Sequence, residues 1–203
     1  MGSRKAKIAV LVSGGGTNLQ AIIDAEKNSV IKSGTVSLVI SNNRDAYALE
    51  RAKKAGIDTL TVIKKECANA EEFEEKIINA LDSNGIDLIV LAGFMSILSE
   101  KFTSHYEKRI INVHPSLIPS FCGEGFYGLH VHEAALEKGV KVTGATVHFV
   151  NEIPDGGEII MQKAVSVHDG DTPEILQKRV MEEAEWIILP ASVEKISKEI
   201  ISE

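Results

Sequence analysis

The stretch Ile8-Ala9-Val10-Leu11-Val12-Ser13-Gly14-Gly15-Gly16-Thr17-Asn18 runs five apolar residues into three glycines and then into a helical pattern, Asn18–Lys27. An unbroken apolar run of that length is what a strand buried on both faces requires. The pairing of short apolar run and helical segment recurs along the chain. Strands are predicted at Val36–Ser41, Thr59–Ile63, Leu88–Ala92 and Ile110–His114, with helices at Ala46–Ala55, Glu71–Ser83 and Ser99–Tyr106. This alternation predicts βαβ units and an α/β fold with a mostly parallel sheet covered on both faces. After Gly128 the texture changes. A helix, Val131–Lys138, precedes two longer strands, Thr143–Val150 and Glu158–Val167, joined by the turn Asn151–Gly157. These two are expected to form an antiparallel pair at the far edge of the sheet. A terminal helix starts near Pro173, capped by Asp171 or Thr172, and Pro190 is expected to kink or split it.

Bulk properties narrow the class. The chain has 203 residues, enough for one sizeable core, so a single domain over 1–203 is expected, with 1–6 as a flexible lead-in. The formal net charge of −7 offers no general attraction to nucleic acid or an anionic membrane, so an anionic ligand needs a local site. No apolar run approaches the roughly 20 residues that span a bilayer, and no signal peptide is apparent. Cys67 and Cys122 stand far apart without CxxC spacing, which fits a reduced cytoplasmic protein better than a disulfide framework or a zinc site.

Two constellations carry chemistry. The first is Ser13-Gly14-Gly15-Gly16-Thr17-Asn18, set between a strand and a helix. Its glycines let backbone approach a ligand, and a helix start offers unpaired N–H groups to an anion. No Lys-Ser/Thr follows, so it is not a Walker A loop. Leu19 stands where a dinucleotide fingerprint has its third glycine. A monophosphate fits best, and a plain tight turn is the competing reading. The second is Ile110-Ile111-Asn112-Val113-His114-Pro115, in which Asn112 and His114, two apart on a strand, project to the same face at its end. Asp155 in Pro154-Asp155-Gly156-Gly157 can be brought against them, although taken locally an Asp before Gly-Gly is a turn former. Amide, imidazole and carboxylate converging at a strand end suit acyl transfer. His105, His130, His132, His148 and His168 show no HExxH spacing, and His148, inside an alternating strand, reads on its own as structural. No metal is expected.

SGGGTNLQAII, LAGFMSILS, INVHPSLIP, GATVHFV and PDGGEIIMQ occur in that order over nearly the whole chain. Together they closely resemble the folate-dependent phosphoribosylglycinamide formyltransferases of purine synthesis. The resemblance implies a single-domain, Rossmann-like formyltransferase fold and a transfer from 10-formyltetrahydrofolate, as co-substrate, to the glycine amine of N1-(5-phosphoribosyl)glycinamide. It also implies that Asn112, His114 and Asp155 are catalytic. Gly16, Thr17 and Asn18 would hold the ribonucleotide phosphate, and Glu185 would contact the glycinamide part, with Glu182 and Glu183 as neighbouring alternatives. Met95, Ser96, Ile97 and Leu98, together with Asn112, Asn151, Glu152, Ile153, Pro154 and Asp155, would line the folate pocket. Thr146 falls where the family places a hydroxyl near the catalytic groups. Partners would be these small molecules, with no nucleic acid or membrane, in a monomer or homodimer.

The chain departs from the family's pattern at three places. Ser96 occupies a position often held by Arg. Ala70 stands where some relatives have a basic residue near the folate's glutamate tail, a role open to Lys64 and Lys65. The segment 121–128 is longer than the turn of many relatives. The mechanism implied is direct transfer, with Asn112 and a protonated His114 stabilising the oxyanion, at about 3–4 kcal/mol per donor. Asp155 beside His114 is expected to raise the ring's pKa. The rival readings are a 10-formyltetrahydrofolate hydrolase and a nucleotide-binding module without enzymatic activity.

Overall fold

The computed structural model describes residues 4–202. In chain order the elements are β1 (Ala6–Val12), α1 (Thr17–Lys27), β2 (Gly34–Ser41), α2 (Tyr47–Lys54), β3 (Asp58–Thr61), α3 (Ala70–Ser83), β4 (Leu88–Leu91), α4 (Glu100–His105), β5 (Ile110–His114), α5 (Leu129–Lys138), β6 (Val142–Phe149), β7 (Ile159–Ser166), α6 (Pro173–Val180) and α7 (Trp186–Ser202). The strands form one sheet in the order β3-β2-β1-β4-β5-β6-β7. β1 to β5 run parallel, while β6 and β7 are antiparallel to their neighbours, as the change of texture after Gly128 predicts.

Strand alternation builds two cores. Ile8, Val10 and Val12 of β1 pack with Leu19, Ile22, Leu189 and Val193 on one face, and Ala9 and Leu11 pack with Phe73, Ile77 and Phe102 on the other. Each such Leu, Ile or Phe buried contributes about 1.5–3 kcal/mol, which is why the central strands read as continuous apolar runs. No helix among the described residues is long and apolar enough to cross a membrane.

The local differences from expectation have identifiable causes. Of the expected lead-in, residues 1–3 lie outside the described residues, but Ala6 already belongs to β1, where its N–H donates to Ser33 O at 2.8 Å, and Arg4 pairs with Asp87. β3 ends at Thr61, not Ile63, because β2 ends at Ser41 and its ladder with it; a 3₁₀ turn, Lys64–Glu66, follows. Asn69 caps α3 by accepting from Glu72 N–H at 2.8 Å, and the Glu72 carboxylate reaches back to Ala68 N–H. Ser99 is likewise the cap of α4 rather than its first residue.

The terminal helix is capped by Thr172, and its interruption lies earlier than Pro190. Met181–Glu185 forms a π-helical turn between α6 and α7, while Pro190 sits buried within α7. Regular helix resumes at Trp186 and runs through Pro190, its fifth residue, without the N–H that would have bonded the Trp186 carbonyl.

Candidate active site

β1 leads by way of α1 to β2 on one side of the sheet, and β4 leads to β5 on the other, so the chain's direction of travel reverses between β1 and β4. In open α/β sheets, ligands bind beyond the carboxyl ends of the strands at such a switch point. The loops after β1 and β4 meet there, with Met95 N–H donating to Ser13 Oγ at 2.8 Å. Register carries the crevice outward. Leu11 pairs with Leu91, and Leu91 with Asn112, so the end of β5 lies two strand spacings from β1, about 10 Å.

The glycine loop turns at Gly16, whose φ is 71°. A Cβ there would lie 2.6 Å from Ala48 Cβ, so glycine is required both for the turn and for the contact with α2. Thr17 and Asn18 open α1, and both side chains turn toward the π-helical segment. Asn18 Nδ2 donates to Glu185 Oε2 at 2.7 Å, and Thr17 Oγ1 lies 3.9 Å from Met181 Sδ. Glu185 is only 5% exposed, whereas Glu182 and Glu183 are exposed. Burial pushes the Glu185 carboxyl up to about 7 against the opposing Asn18 hydrogen bond. The Oδ1 of Asn18 is buried with no partner in the protein.

At the end of β5, Asn112, His114 and Asp155 come together around a fourth group, His148. Asn112 pairs with His148 across β5 and β6, and Asn112 Nδ2 lies 3.3 Å from His148 Nε2. That nitrogen is 3.5 Å from Asp155 Oδ1, and His114 Nδ1 is 3.4 Å from Asp155 Oδ2. The carboxylate also accepts from Gly123 N–H at 2.9 Å. His114 Nε2 lies 2.8 Å from the Phe121 carbonyl. A carbonyl only accepts, so Nε2 carries the proton and Nδ1 is the nitrogen that titrates beside the acid.

The direction of the His114 shift corrects the expectation. Burial lowers its pKa, and this outweighs the raising effects of Asp155 and of the Phe121 carbonyl. For Asp155, burial raises the pKa. The contact with His148, the Gly123 N–H and the attraction of either ring when it is protonated still bring it below the ordinary carboxylate value, so it is ionised at neutral pH.

Asp155 is held in an unusual backbone state, φ 56°, in the loop after β6. Asn151 Oδ1 accepts from Ile153 N–H at 3.1 Å, and Gly156 N–H donates to Ile153 O at 2.9 Å. A Cβ on Gly157 would stand 1.8 Å from Phe149 O, so that residue must be glycine. The loop aims the acid back over β5. In the loop after β4, Met95 and Ile97 are exposed, as is Ile153 in the other loop, and Ser96 Oγ accepts from Asn42 Nδ2 at 3.0 Å. Leu98, by contrast, is buried in the core with Phe73 and Phe102. Thr146 sits opposite His114 but spends its hydroxyl on structure: it donates to Ser116 O at 2.7 Å and accepts from Ile118 N–H and Gln162 Nε2.

Three groups in contact with Asn112, His114 and Asp155 carry no mark of function in the sequence. His148 reads as a strand residue until register sets it opposite Asn112. The Phe121 carbonyl and Gly123 N–H are backbone groups with no side-chain signature. Only the length of 121–128 marks that segment in the sequence.

The formyl transferase family model matches residues 6–193. The chain belongs to the formyl transferase family. This formyl transferase is 48% identical over 173 residues to phosphoribosylglycinamide formyltransferase of Escherichia coli (strain K12), which covers 85% of this chain and 79% of that one. It is 45% identical over 196 residues to the Homo sapiens trifunctional purine biosynthetic protein adenosine-3, covering 96% of this chain but only 18% of that protein. Among solved structures, glycinamide ribonucleotide transformylase 1 from Symbiobacterium toebii superposes with a TM-score of 0.90 at 42% identity, covering 96% of this chain and 89% of that one. None of these relatives of the formyl transferase carries the name of a hydrolase.

Proposed function

We propose that the chain transfers the formyl group of 10-formyltetrahydrofolate to the glycine amine of N1-(5-phosphoribosyl)glycinamide, yielding the N-formyl product and tetrahydrofolate in purine biosynthesis. The observation that carries this reading is the meeting of Asn112, His114 and Asp155 about two strand spacings from the glycine loop. A phosphorylated sugar anchored at Gly16, Thr17 and Asn18 can present its amine to the end of β5, and Glu185 lies beside Asn18 to receive the glycinamide part. Exposed apolar side chains at Met95, Ile97 and Ile153 offer surfaces for the flat ring of the folate.

The amine nitrogen attacks the formyl carbon, and negative charge develops on the formyl oxygen. Asn112 Nδ2 has two protons: one faces His148, and the other is available to that oxygen. His114 enters neutral, with its proton on Nε2, and Nδ1 takes the proton released by the attacking nitrogen across a bridging water. The Asp155 carboxylate stabilises the imidazolium so formed. A ring of lowered pKa then releases this proton readily to the folate nitrogen as its bond to the formyl carbon breaks. No covalent enzyme intermediate is involved. With both cysteines free thiols, we place the protein in the reducing cytoplasm, as one domain around one sheet.

The test is an absorbance assay of folate deformylation with and without the ribonucleotide. Deformylation that depends strictly on the ribonucleotide is the expected result; equal rates without it would make the protein a hydrolase instead, and no deformylation in either case would leave a binding module.

A further inference from the structure

The carbonyls of Ser13, Gly14 and Gly15 are each held from the segment that leads into and forms α2. Asn43 Nδ2 donates to Ser13 O at 3.2 Å, Ala48 N–H to Gly14 O at 3.1 Å, and Arg51 Nε to Gly15 O at 2.8 Å. In a planar trans peptide the N–H points opposite to the C=O of the same unit. The N–H groups of Gly14, Gly15 and Gly16 are therefore turned away from α2, as a row. Successive N–H groups of this kind make an anion-binding concavity. A Cβ at Gly14 or Gly15 would meet no protein atom within 4 Å, so protein packing leaves the space around them open.

Arg51 is the charged member of this clamp and is itself fixed on three sides. Its Nε is on Gly15 O, its Nη1 donates to Gln20 Oε1 at 3.1 Å, and its guanidinium lies 5.0 Å from the Tyr47 ring centroid. We propose that Arg51 is a positioning residue for ribonucleotide binding, acting through the Gly15 carbonyl to aim the Gly16 N–H at the phosphate. Guanidinium geometry is essential to this role, because one side chain must reach a loop carbonyl and a helix amide at once. The inference rests on the reading of this loop as the phosphate site.

The experiment compares wild-type protein with Arg51→Met and Arg51→Lys in steady-state formyl transfer, varying each substrate in turn and adding inorganic phosphate as a competitive inhibitor. In Arg51→Met the ribonucleotide KM and the inhibition constant of phosphate should both rise about tenfold, the loss of one charge-assisted hydrogen bond. The folate KM and kcat should stay within about twofold. Arg51→Lys should recover only part of the loss. An unchanged ribonucleotide KM in Arg51→Met overturns the inference, as does full recovery by lysine, which would mean that charge alone suffices. A joint fall of kcat, both affinities and melting temperature also overturns it, as general damage to the fold. Should Arg51→Met fail to fold, Gln20→Leu removes the second anchor, and a rise of about threefold in ribonucleotide KM is expected; no change there is equally fatal. Wild-type protein without ribonucleotide-dependent activity would defeat the proposed function itself. An active wild type with an unaffected Arg51→Met defeats only the role of Arg51.

Discussion

Replacing Glu185 with glutamine should make the protein more stable and a worse enzyme, with the gain in stability confined to neutral and alkaline pH. Glu185 is 5% exposed, and burial lifts its carboxyl from 4.5 to about 7. At about 1.4 kcal/mol for each pH unit, that rise amounts to about 3 kcal/mol. The folded protein holds the proton more tightly than the unfolded chain, so stability falls as pH climbs from 4.5 to about 7 and is flat above. Glutamine keeps an oxygen for the Asn18 amide and has nothing to titrate. The variant should therefore exceed the wild type by less than about 1 kcal/mol at pH 5 and by about 3 kcal/mol at pH 8. For a chain of this size, the larger difference is a melting-point gap of roughly 6–12 °C. Thermal and urea unfolding of both proteins at pH 5, 6, 7 and 8 reads it directly. A gap that does not change with pH, or a variant less stable at pH 8, would refute the reasoning from burial. The ribonucleotide KM should rise in the same variant, because the carboxylate retained at a cost in stability is the one assigned to the substrate.

Asp155→Asn should keep both KM values within a few-fold and lower kcat by about 100-fold or more, since Asn tolerates the positive φ but cannot stabilise the His114 imidazolium; near-normal kcat would end the assignment. Two neighbouring glycines should behave in opposite ways. Gly16→Ala, strained at φ 71° and pressed on Ala48, should lose about 2–4 kcal/mol in urea unfolding. Gly15→Ala, whose Cβ meets no protein atom, should change stability by less than about 1 kcal/mol yet raise the ribonucleotide KM.

The central strands were legible because both of their faces are buried, and a run such as Ile8–Val12 has few other ways to fold. Asn112 and His114 were legible as a pair because strand geometry alone sets i and i+2 on one face. What lay beyond the sequence depended on relations across the chain. His148 acquires its place only through the register of β6 on β5. The Asp155 carboxylate reaches the histidines because Asn151, Gly156 and Gly157 fold their loop in one way, and a turn-forming Asp would have the same sequence. The expected rise in the His114 pKa considered its charged neighbour but not the depth of burial, which is the larger effect. Pro190 drew attention as the helix breaker, yet the interruption lies where the helix has to deliver Glu185.

That interruption gives the C-terminal rod two rotational phases. Counting 3.6 residues per turn from Leu176 and Val180, the inward positions of an unbroken helix would next fall at Glu183 and Ile187, both of which are exposed. The buried residues are instead Ala184 with Glu185 and Ile188 with Leu189, so the wider turn has advanced the pattern by about one position, a twist of roughly 100°. One residue of extra backbone thus works as a vernier. Loss of a single residue anywhere in Met181–Glu185 would leave a more regular helix, but it could no longer seat α6, α7 and the Glu185 carboxylate together. Chain length in this segment is as much a part of the site as the identity of any side chain in it.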